Sequence, residues 1–290
     1  MNPTQFAQHG KRLPSWIYKT LAQGWIDEKF PRHLFIETTS LCNLKCSYCP
    51  REQRNSELPF SLFRQIIDEA TSYGPRSFSL HLFGEPLLYS KWYEAICYIK
   101  SRERRHTVLF TTNGTHLNAS VDKLLEANPD KVIWSWRPEA KFTEETKRKL
   151  KQWGKFQVRI LKQVTPKRAW EEWKDWRPIE VKDLHSYGGN IDLSKFGAPN
   201  ANDGQRHACY HLFLAPAVAW NGDILLCCNE PHHKEVIGKF PEMSIAEAWR
   251  SQALETKRKE HLAGEYKGVC SGCDSWKVYP DLFFKWQYKS

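Results

Sequence analysis

Apolar and amphipathic segments alternate along the middle of the chain. Six short segments have the length and composition of strands, and five of the stretches between them repeat apolar residues at helical spacing. The strands are predicted at 34–37, 77–82, 107–112, 132–136, 156–164 and 181–185, and the helices at 61–73, 90–104, 121–127, 142–153 and 169–176. This alternation predicts an α/β fold of parallel βαβ units with right-handed crossovers.

The apolar pattern also divides the chain into regions. Residues 16–26 have roughly helical spacing, so 1–31 are predicted to form a helical extension packed outside the main α/β region at 32–195. The strand and helix alternation then stops, and residues 196–290 begin with a linker rich in Gly, Pro and Asn. These last residues are predicted to form a separate small α+β domain.

Two elements are predicted inside this C-terminal region. Apolar runs on both sides of Asn221-Gly222 predict a hairpin, because this dipeptide favours a tight turn. Farther on, residues 244–264 are predicted to form one helix, in which Ser244 and Glu247 have the spacing of a capping box.

Composition narrows the class of protein. The 290 residues are 41% hydrophobic and 13% aromatic, which is enough for a sizeable core and excludes a disordered chain. The sequence has no apolar run of about 18 residues and does not begin like a signal peptide, so a cytoplasmic protein with no membrane partner is expected. Nine cysteines in that compartment indicate metal or redox chemistry rather than disulfides.

The charge balance suggests the kind of partner. The formal net charge of +10 favours an anionic partner, such as a phosphorylated metabolite, a nucleotide, a nucleic acid or an acidic carrier protein. Much of the excess lies in basic runs at 101–106 and 147–151, which are typical of solvated helix faces. A nucleic-acid partner is therefore not favoured over a small polar, anionic substrate or a peptide.

Three cysteines follow the first predicted strand within one short loop. Cys42, Cys46 and Cys49 have C-x3-C-x2-C spacing, and no fourth cysteine lies nearby. Thiolates are the ligands of iron–sulfur clusters, and a [4Fe–4S] cluster held by only three of them keeps one iron open to an external ligand. The alternatives are a zinc knuckle or redox-sensing thiols, but zinc sites usually close with four ligands.

This loop and the strand before it resemble the signature of the radical S-adenosylmethionine (SAM) enzymes. The resemblance implies a partial (β/α)6 barrel, in which the loops after the strands line one mouth. It also implies that the open iron binds the amino and carboxylate groups of SAM, and that cleavage of SAM yields a 5′-deoxyadenosyl radical. A one-electron reductant such as flavodoxin or ferredoxin would then be a partner.

The same resemblance gives cofactor-binding candidates at the strand ends. Gly84, Glu85 and Pro86 follow the second strand and match the family's segment that meets the amino group of SAM, although Phe83 replaces the usual first glycine. Asn113 belongs to the Thr-Asn-Gly turn that the family places beside the cofactor, a turn that also simply caps a strand.

Further candidates come from the last three strands of the predicted barrel. Ser135 is assigned to the cofactor's ribose and Arg159 to its carboxylate, while Trp134, Trp136 and Arg137 are expected as walls of a substrate pocket. After the sixth strand, His185 or Tyr187 could touch substrate.

A second group of cysteines lies in the C-terminal region. Cys209, Cys227, Cys270 and Cys273 could close around a metal centre, either a structural zinc ion or an iron–sulfur cluster. The segment resembles the twitch form of the SPASM domain, which implies an auxiliary [4Fe–4S] cluster with those four ligands. The adjacent Cys228 could ligate in place of Cys227, and Cys97 is expected to be a buried small hydrophobe.

These features together favour an oxidoreductase. The expected reaction is hydrogen-atom abstraction from a sugar or aminosugar, a nucleotide derivative or a peptide, followed by oxidation with the auxiliary cluster as electron acceptor. One alternative is a radical epimerase in which the catalytic Cys228 returns a hydrogen atom. Modification of RNA and a non-enzymatic zinc scaffold are further alternatives.

Overall fold

A computed structural model describes residues 27–52, 55–102, 105–181, 184–197, 206 and 208–277. The helix predicted at 16–26 lies outside these residues. No helix among the described residues has the length and apolar character needed to cross a membrane.

One mixed sheet runs through the described part of the chain. Its strands are β1 His33–Ile36, β2 Ser77–Ser79, β3 Thr107–Thr112, β4 Lys131–Ser135, β5 Phe156–Leu161, β6 Ile179–Val181, β7 Ala217–Val218, β8 Asp223–Leu225 and β9 Val236–Lys239. They lie in the order β6-β5-β4-β3-β2-β1-β7-β8-β9. The first six pair in parallel with their neighbours, which confirms the predicted α/β fold and its partial barrel. The last of these six begins before the predicted 181–185.

Helices connect the parallel strands. They are α1 Phe60–Ser72, α2 Trp92–Arg102, α3 Leu117–Ala127, α4 Glu144–Trp153 and α5 Lys167–Trp173. In α1 the buried residues Phe63, Ile66, Ile67 and Ala70 recur every three or four positions, so one face packs on the sheet. In α4 the Thr143 hydroxyl accepts a hydrogen bond from the N–H of Thr146, and Gly154 ends the helix with a φ of 74°.

The C-terminal region joins the same sheet. Strand β7 pairs in parallel with β1, placing Ala217 opposite Phe35, and the predicted hairpin follows as antiparallel β7 and β8. Gly222 takes the positive φ of 88° that the turn requires. The strand β1 is therefore central to the sheet, with the barrel on one side and the C-terminal strands on the other.

The single helix predicted at 244–264 is wrong. The chain forms α7 Ile245–Trp249 and α8 Gln252–Ala263 instead, after the short α6 His211–Leu214. The predicted capping box of Ser244 and Glu247 is present at the start of α7. The break occurs because the Ser251 hydroxyl accepts a hydrogen bond from the N–H of Leu254 and so caps a new helix.

The two faces of the parallel strands differ in chemistry. Leu34, Ile36 and Phe78 pack against the helices, with at most 1% of each residue exposed. The opposite face carries polar groups: His33 Nε2 lies 2.9 Å from Ser79 Oγ, and Arg159 donates to Thr111 Oγ1 at 2.6 Å. Because alternate strand residues point to opposite faces, these polar side chains share the inner surface of the barrel with a few apolar ones such as Phe35 and Leu109.

Candidate active site

The three-cysteine loop leaves the end of β1. Cys42, Cys46 and Cys49 carry free, half-buried thiols, and the N–H of Cys49 donates to Cys46 O at 3.0 Å. Burial raises the pKa of Cys49, and the nearby Cys46 and Cys42 thiols add to this effect. The loop therefore gathers its three thiols within electrostatic reach of one another.

Arg51 binds the backbone of this loop. Sequence reasoning did not predict this role for Arg51. Its guanidinium donates to the backbone carbonyls of Ser40 at 3.2 Å and of Cys42 and Leu44 at 3.4 Å. A planar group with several fixed donors suits such a role, because it can satisfy three carbonyls of an irregular loop at once.

The Gly84-Glu85-Pro86 segment lies directly against the three-cysteine loop. The N–H of Glu85 donates to Leu41 O at 2.6 Å, and a Cβ atom on Gly84 would lie 1.9 Å from Thr39 O. Only glycine fits such a close approach of two backbones. The loops after β1 and β2 thus form one packed unit.

The carboxylate of Glu85 is used inside the protein. It accepts hydrogen bonds from Thr112 Oγ1 and from the N–H of Asn113, both at 2.6 Å, and from the N–H of Leu87 at 3.2 Å. Burial raises the pKa of Glu85 to about 7, although these hydrogen bonds favour the ionised form. Backbone groups of this segment, rather than the carboxylate, are thus left to meet a ligand.

Asn113 links the turn after β3 to the cysteine loop. Its Nδ2 donates to Asn43 Oδ1 at 2.9 Å and lies 3.8 Å from Cys42 Sγ, while its Oδ1 accepts from the N–H of Thr115 at 3.0 Å. Gly114 completes the predicted turn with a φ of 85°. The amide therefore stands beside the first cysteine of the loop.

The residues predicted on β4 and β5 lie on two faces. Ser135 and Arg159 are register partners at the polar inner face. Trp134, expected as a pocket wall, instead packs against Phe142 and Trp173 on the helix side, with ring centroids 4.6 Å away in both cases. Strand alternation explains this correction, because Trp134 is one position from Ser135.

Tyr187 connects the two groups of cysteines. Its ring packs on Phe83 at 5.7 Å between centroids, and burial raises its pKa to about 12, with smaller contributions from the Cys49 and Cys228 thiols. The neighbouring Ser186 donates its N–H and hydroxyl to Asp274 Oδ1 at 2.7 and 2.8 Å. The segment that carries His185 and Tyr187 is therefore fixed to the C-terminal cysteine loop.

The four C-terminal cysteines come together. Cys209 and Cys270 are buried, Cys227 and Cys273 are partly buried, and all four thiols are free. Burial raises the pKa of Cys209, Cys227 and Cys270, and the thiol of Cys273 raises each of them further. Segments distant in sequence thus bring these thiols within electrostatic reach of one another.

Cys228 has different surroundings from Cys227. Its Sγ lies 3.7 Å from His211 Nδ1, and burial raises its pKa to about 12. It is the thiol of this pair that acts on Tyr187. Cys228 therefore lies within electrostatic reach of the Tyr187 ring.

Both cysteine sets offer thiolates, which are the ligands of iron–sulfur clusters. Among the described residues, no group of three or more His, Cys, Asp or Glu side chains has the geometry to hold a single metal ion.

Several buried polar atoms beside the four-cysteine site have no hydrogen-bond partner in the described part of the chain. They include Ser275 Oγ, His261 Nε2 and Arg206 Nε. His261 Nδ1 accepts the N–H of Cys209 at 3.3 Å, so the neutral imidazole carries its hydrogen on Nε2. Buried donors without partners are costly, and an acceptor such as a cluster sulfide would satisfy them.

Family models match both cysteine regions. The model of the radical SAM superfamily matches residues 36–134, and that of the SPASM iron–sulfur cluster-binding domain matches residues 209–274.

Curated relatives match part of the chain. A probable GTP 3′,8-cyclase of Methanococcus maripaludis is 35% identical over 105 residues, which are 35% of this chain and 35% of that protein. A cofactor-modifying protein for the tungsten-containing aldehyde ferredoxin oxidoreductase of Pyrococcus furiosus is 29% identical over 110 residues, 36% of this chain and 30% of that protein. The matched stretch thus spans about a third of each relative's length.

Solved structures share the fold over most of the chain. BtrN in complex with AdoMet and 2-DOIA has a TM-score of 0.65 at 21% identity, covering 87% of this chain and 98% of that one. Streptococcus suis SuiB bound to its precursor peptide SuiA has a TM-score of 0.63 at 15% identity, covering 90% and 73%. An AdoMet complex of anSMEcpe has a TM-score of 0.54 at 16% identity, covering 86% and 88%.

These similarities agree with the donor sets described above. The cofactors are [4Fe–4S] clusters and SAM, since a SAM-dependent superfamily model and an iron–sulfur domain model both match and related folds hold AdoMet. The chain belongs to the radical SAM superfamily and carries a C-terminal SPASM-type iron–sulfur domain.

Proposed function

We propose that this protein oxidises a polar substrate by two electrons, starting from abstraction of a hydrogen atom. The observation that carries the proposal is the position of the segment with Ser186 and Tyr187. The ring of Tyr187 packs on Phe83, next to the loop that contacts the three-cysteine loop, and Ser186 donates to Asp274, the neighbour of Cys273. A substrate held beside this ring would lie between a site that starts a radical reaction and a site that can take up an electron.

The ligand assignments follow the sequence prediction. Cys42, Cys46 and Cys49 would hold the cluster that binds SAM, and the auxiliary ligands would be Cys209, Cys227, Cys270 and Cys273. When bound, these groups supply a hydrogen-abstracting 5′-deoxyadenosyl radical at the first site and a one-electron acceptor at the second. Loss of a hydrogen atom, an electron and a proton would convert a substrate alcohol to a ketone.

The protein's own groups orient the reactants in this proposal. The backbone of Gly84 and Glu85 lies against the cysteine loop, where the amino group of SAM would bind next to Pro86. Asn113 donates toward Cys42 and so positions the ligand set from the β3 side. Ser135 is the small hydroxyl on the inner face that would reach the cofactor's ribose.

Iron content tests the proposal. Anaerobically reconstituted protein should hold about eight iron atoms per chain, as two four-iron clusters require. Cys273→Ser should lose about half of this iron and the oxidised product, yet still form 5′-deoxyadenosine from SAM with a chemical reductant. Wild-type protein that binds only one cluster's iron would contradict the proposal.

Epimerisation is the second candidate, and Cys228 is the observation that favours it. A partly buried thiol within electrostatic reach of Tyr187 has the S–H bond needed to return a hydrogen atom to a substrate radical. Cys228→Ala should keep both clusters and still yield the ketone if the reaction is oxidation. Loss of product with retained 5′-deoxyadenosine formation would favour the epimerase.

The relatives support the proposed radical chemistry, but they do not identify the substrate. The matched stretch of the GTP 3′,8-cyclases spans about a third of those proteins, so cyclisation of GTP does not transfer to this chain. A panel of sugars, nucleotides and peptides, screened for substrate-dependent 5′-deoxyadenosine, would identify the substrate class.

A further inference from the structure

Two arginines meet on the inner side of the barrel mouth. Arg159 projects from β5 and donates to Thr111 Oγ1 at 2.6 Å. Arg137 follows β4 and donates to the carbonyls of Trp136 at 2.6 Å and Ser135 at 3.4 Å. The guanidinium of Arg137 also lies over the ring of Tyr48, 5.1 Å from its centroid. Both cations therefore face the space beside the three-cysteine loop.

Neither arginine forms a close ion pair, although the charge of Arg137 acts on the pKa of the Glu85 carboxyl and lowers it. Within the described part of the chain, no carboxylate oxygen lies within 4.0 Å of either guanidinium, and their hydrogen bonds go to neutral oxygens. The nearby carboxylate of Glu85 already accepts from Thr112, Asn113 and Leu87. Arg137 Nε is buried and has no hydrogen-bond partner.

The surroundings make this positive charge costly. The pKa of Arg159 is lowered to about 10, mainly by burial and to a smaller extent by the charge of Arg137. His81 stands nearby, with a buried Nδ1 that has no hydrogen-bond partner among the described residues. Both arginines are partly buried, and an anion with matching hydrogen-bond geometry bound between them would stabilise their like charges.

SAM cannot supply that anion alone. Sequence reasoning assigned its carboxylate to Arg159. SAM also carries a sulfonium cation, and its amino group would ligate iron as a neutral amine, so bound SAM has no net negative charge. Its single carboxylate would, by the family resemblance, bind iron as well. A second, separate anion would therefore be needed to balance the positive charges of Arg137 and Arg159.

We infer that Arg137 and Arg159 bind an oxyanion of the substrate, a phosphate or carboxylate group, placed beside Tyr187. This inference rests on the proposed function, since it names the class of substrate that the same site would oxidise. His81 Nδ1 is the neutral group that would complete the contacts. Bidentate recognition by guanidinium groups suits either oxyanion.

Inorganic phosphate is the probe for this site. Its binding to anaerobically reconstituted, SAM-loaded protein is measured by calorimetry at constant ionic strength. Arg159→Gln and Arg137→Gln should each weaken phosphate binding at least about tenfold, the loss of one charge-assisted contact. Arg159→Lys should weaken it less. Arg64→Gln, on the exposed surface of α1, is the matched control and should leave the affinity unchanged.

Three results would overturn the inference. Competition between phosphate and SAM would assign the arginines to the cofactor's carboxylate. Equal weakening in Arg64→Gln, or no saturable phosphate binding to wild-type protein, would indicate nonspecific attraction. Iron content and melting temperature confirm that each variant folds. Since no turnover is needed, 5′-deoxyadenosine formation without oxidised product would contradict the proposed function while leaving the anion site supported.

Discussion

Replacement of Gly84 by alanine should separate the loop after β2 from the three-cysteine loop. The new Cβ would lie 1.9 Å from Thr39 O and 2.8 Å from Thr39 C, whereas real Cβ contacts are essentially never below 3.0 Å. The two backbones would have to move apart by about 1 Å, which strains the hydrogen bond from the N–H of Glu85 to Leu41 O. Overpacking and a weakened hydrogen bond together cost about 2–4 kcal/mol.

Urea denaturation and SAM binding under anaerobic conditions measure this effect. Gly84→Ala should lower the free energy of unfolding by about 2–4 kcal/mol and weaken SAM binding by at least about tenfold. Gly272→Ala is the matched control, because its Cβ would meet atoms at an ordinary 3.6 Å or more. If Gly84→Ala binds SAM like wild type, the packed unit of the two loops does not position the cofactor.

Three further outcomes are expected. Arg51→Gln should weaken the cysteine loop by about 2 kcal/mol, seen as faster loss of iron from the first site to a chelator; an unchanged rate would refute a positioning role for Arg51. The buried His33, His81 and His211 have pKa values lowered to about 3 by burial, so only the unfolded chain gains their protons below about pH 6.5. Stability should be full above pH 6.5 and fall by about 2 kcal/mol per histidine at pH 5, and a urea midpoint that does not change with pH would contradict this. Glu69→Gln should destabilise by about 1 kcal/mol in the same assay, because its carboxylate accepts the first N–H groups of α7; Glu171→Gln on the exposed surface serves as control.

Much of the barrel follows from the sequence because it depends on local pattern. The alternation of strands and helices, the turn at Asn221-Gly222 and the cap at Ser244 all lie within short windows. The two cysteine sets were proposed as ligands for a related reason, since residue type and spacing indicate candidate thiol ligands. The single helix failed because one cap signal, Ser251, lay inside a stretch that otherwise has good helix formers.

Contacts between distant segments could not be predicted from these windows. Arg51 and Arg206 reach carbonyls in irregular loops, where no periodic pattern indicates a partner. The hydrogen bonds that the Glu85 carboxylate accepts within the protein could not be predicted either, because their donors, Thr112 and Asn113, belong to a different strand and its turn. Trp134 was misplaced for a simpler reason: one step along a strand reverses the face of the sheet.

The pairing of β1 with β7 has a consequence for biosynthesis. The strand that carries the three-cysteine loop lies between β2 and the two residues Ala217–Val218, which are made much later. During translation one edge of β1 therefore stays open until the ribosome has passed residue 218. The loop can form early, but its supporting strand is complete only when the C-terminal cysteine region begins to emerge, so assembly of the two sites is coupled in time.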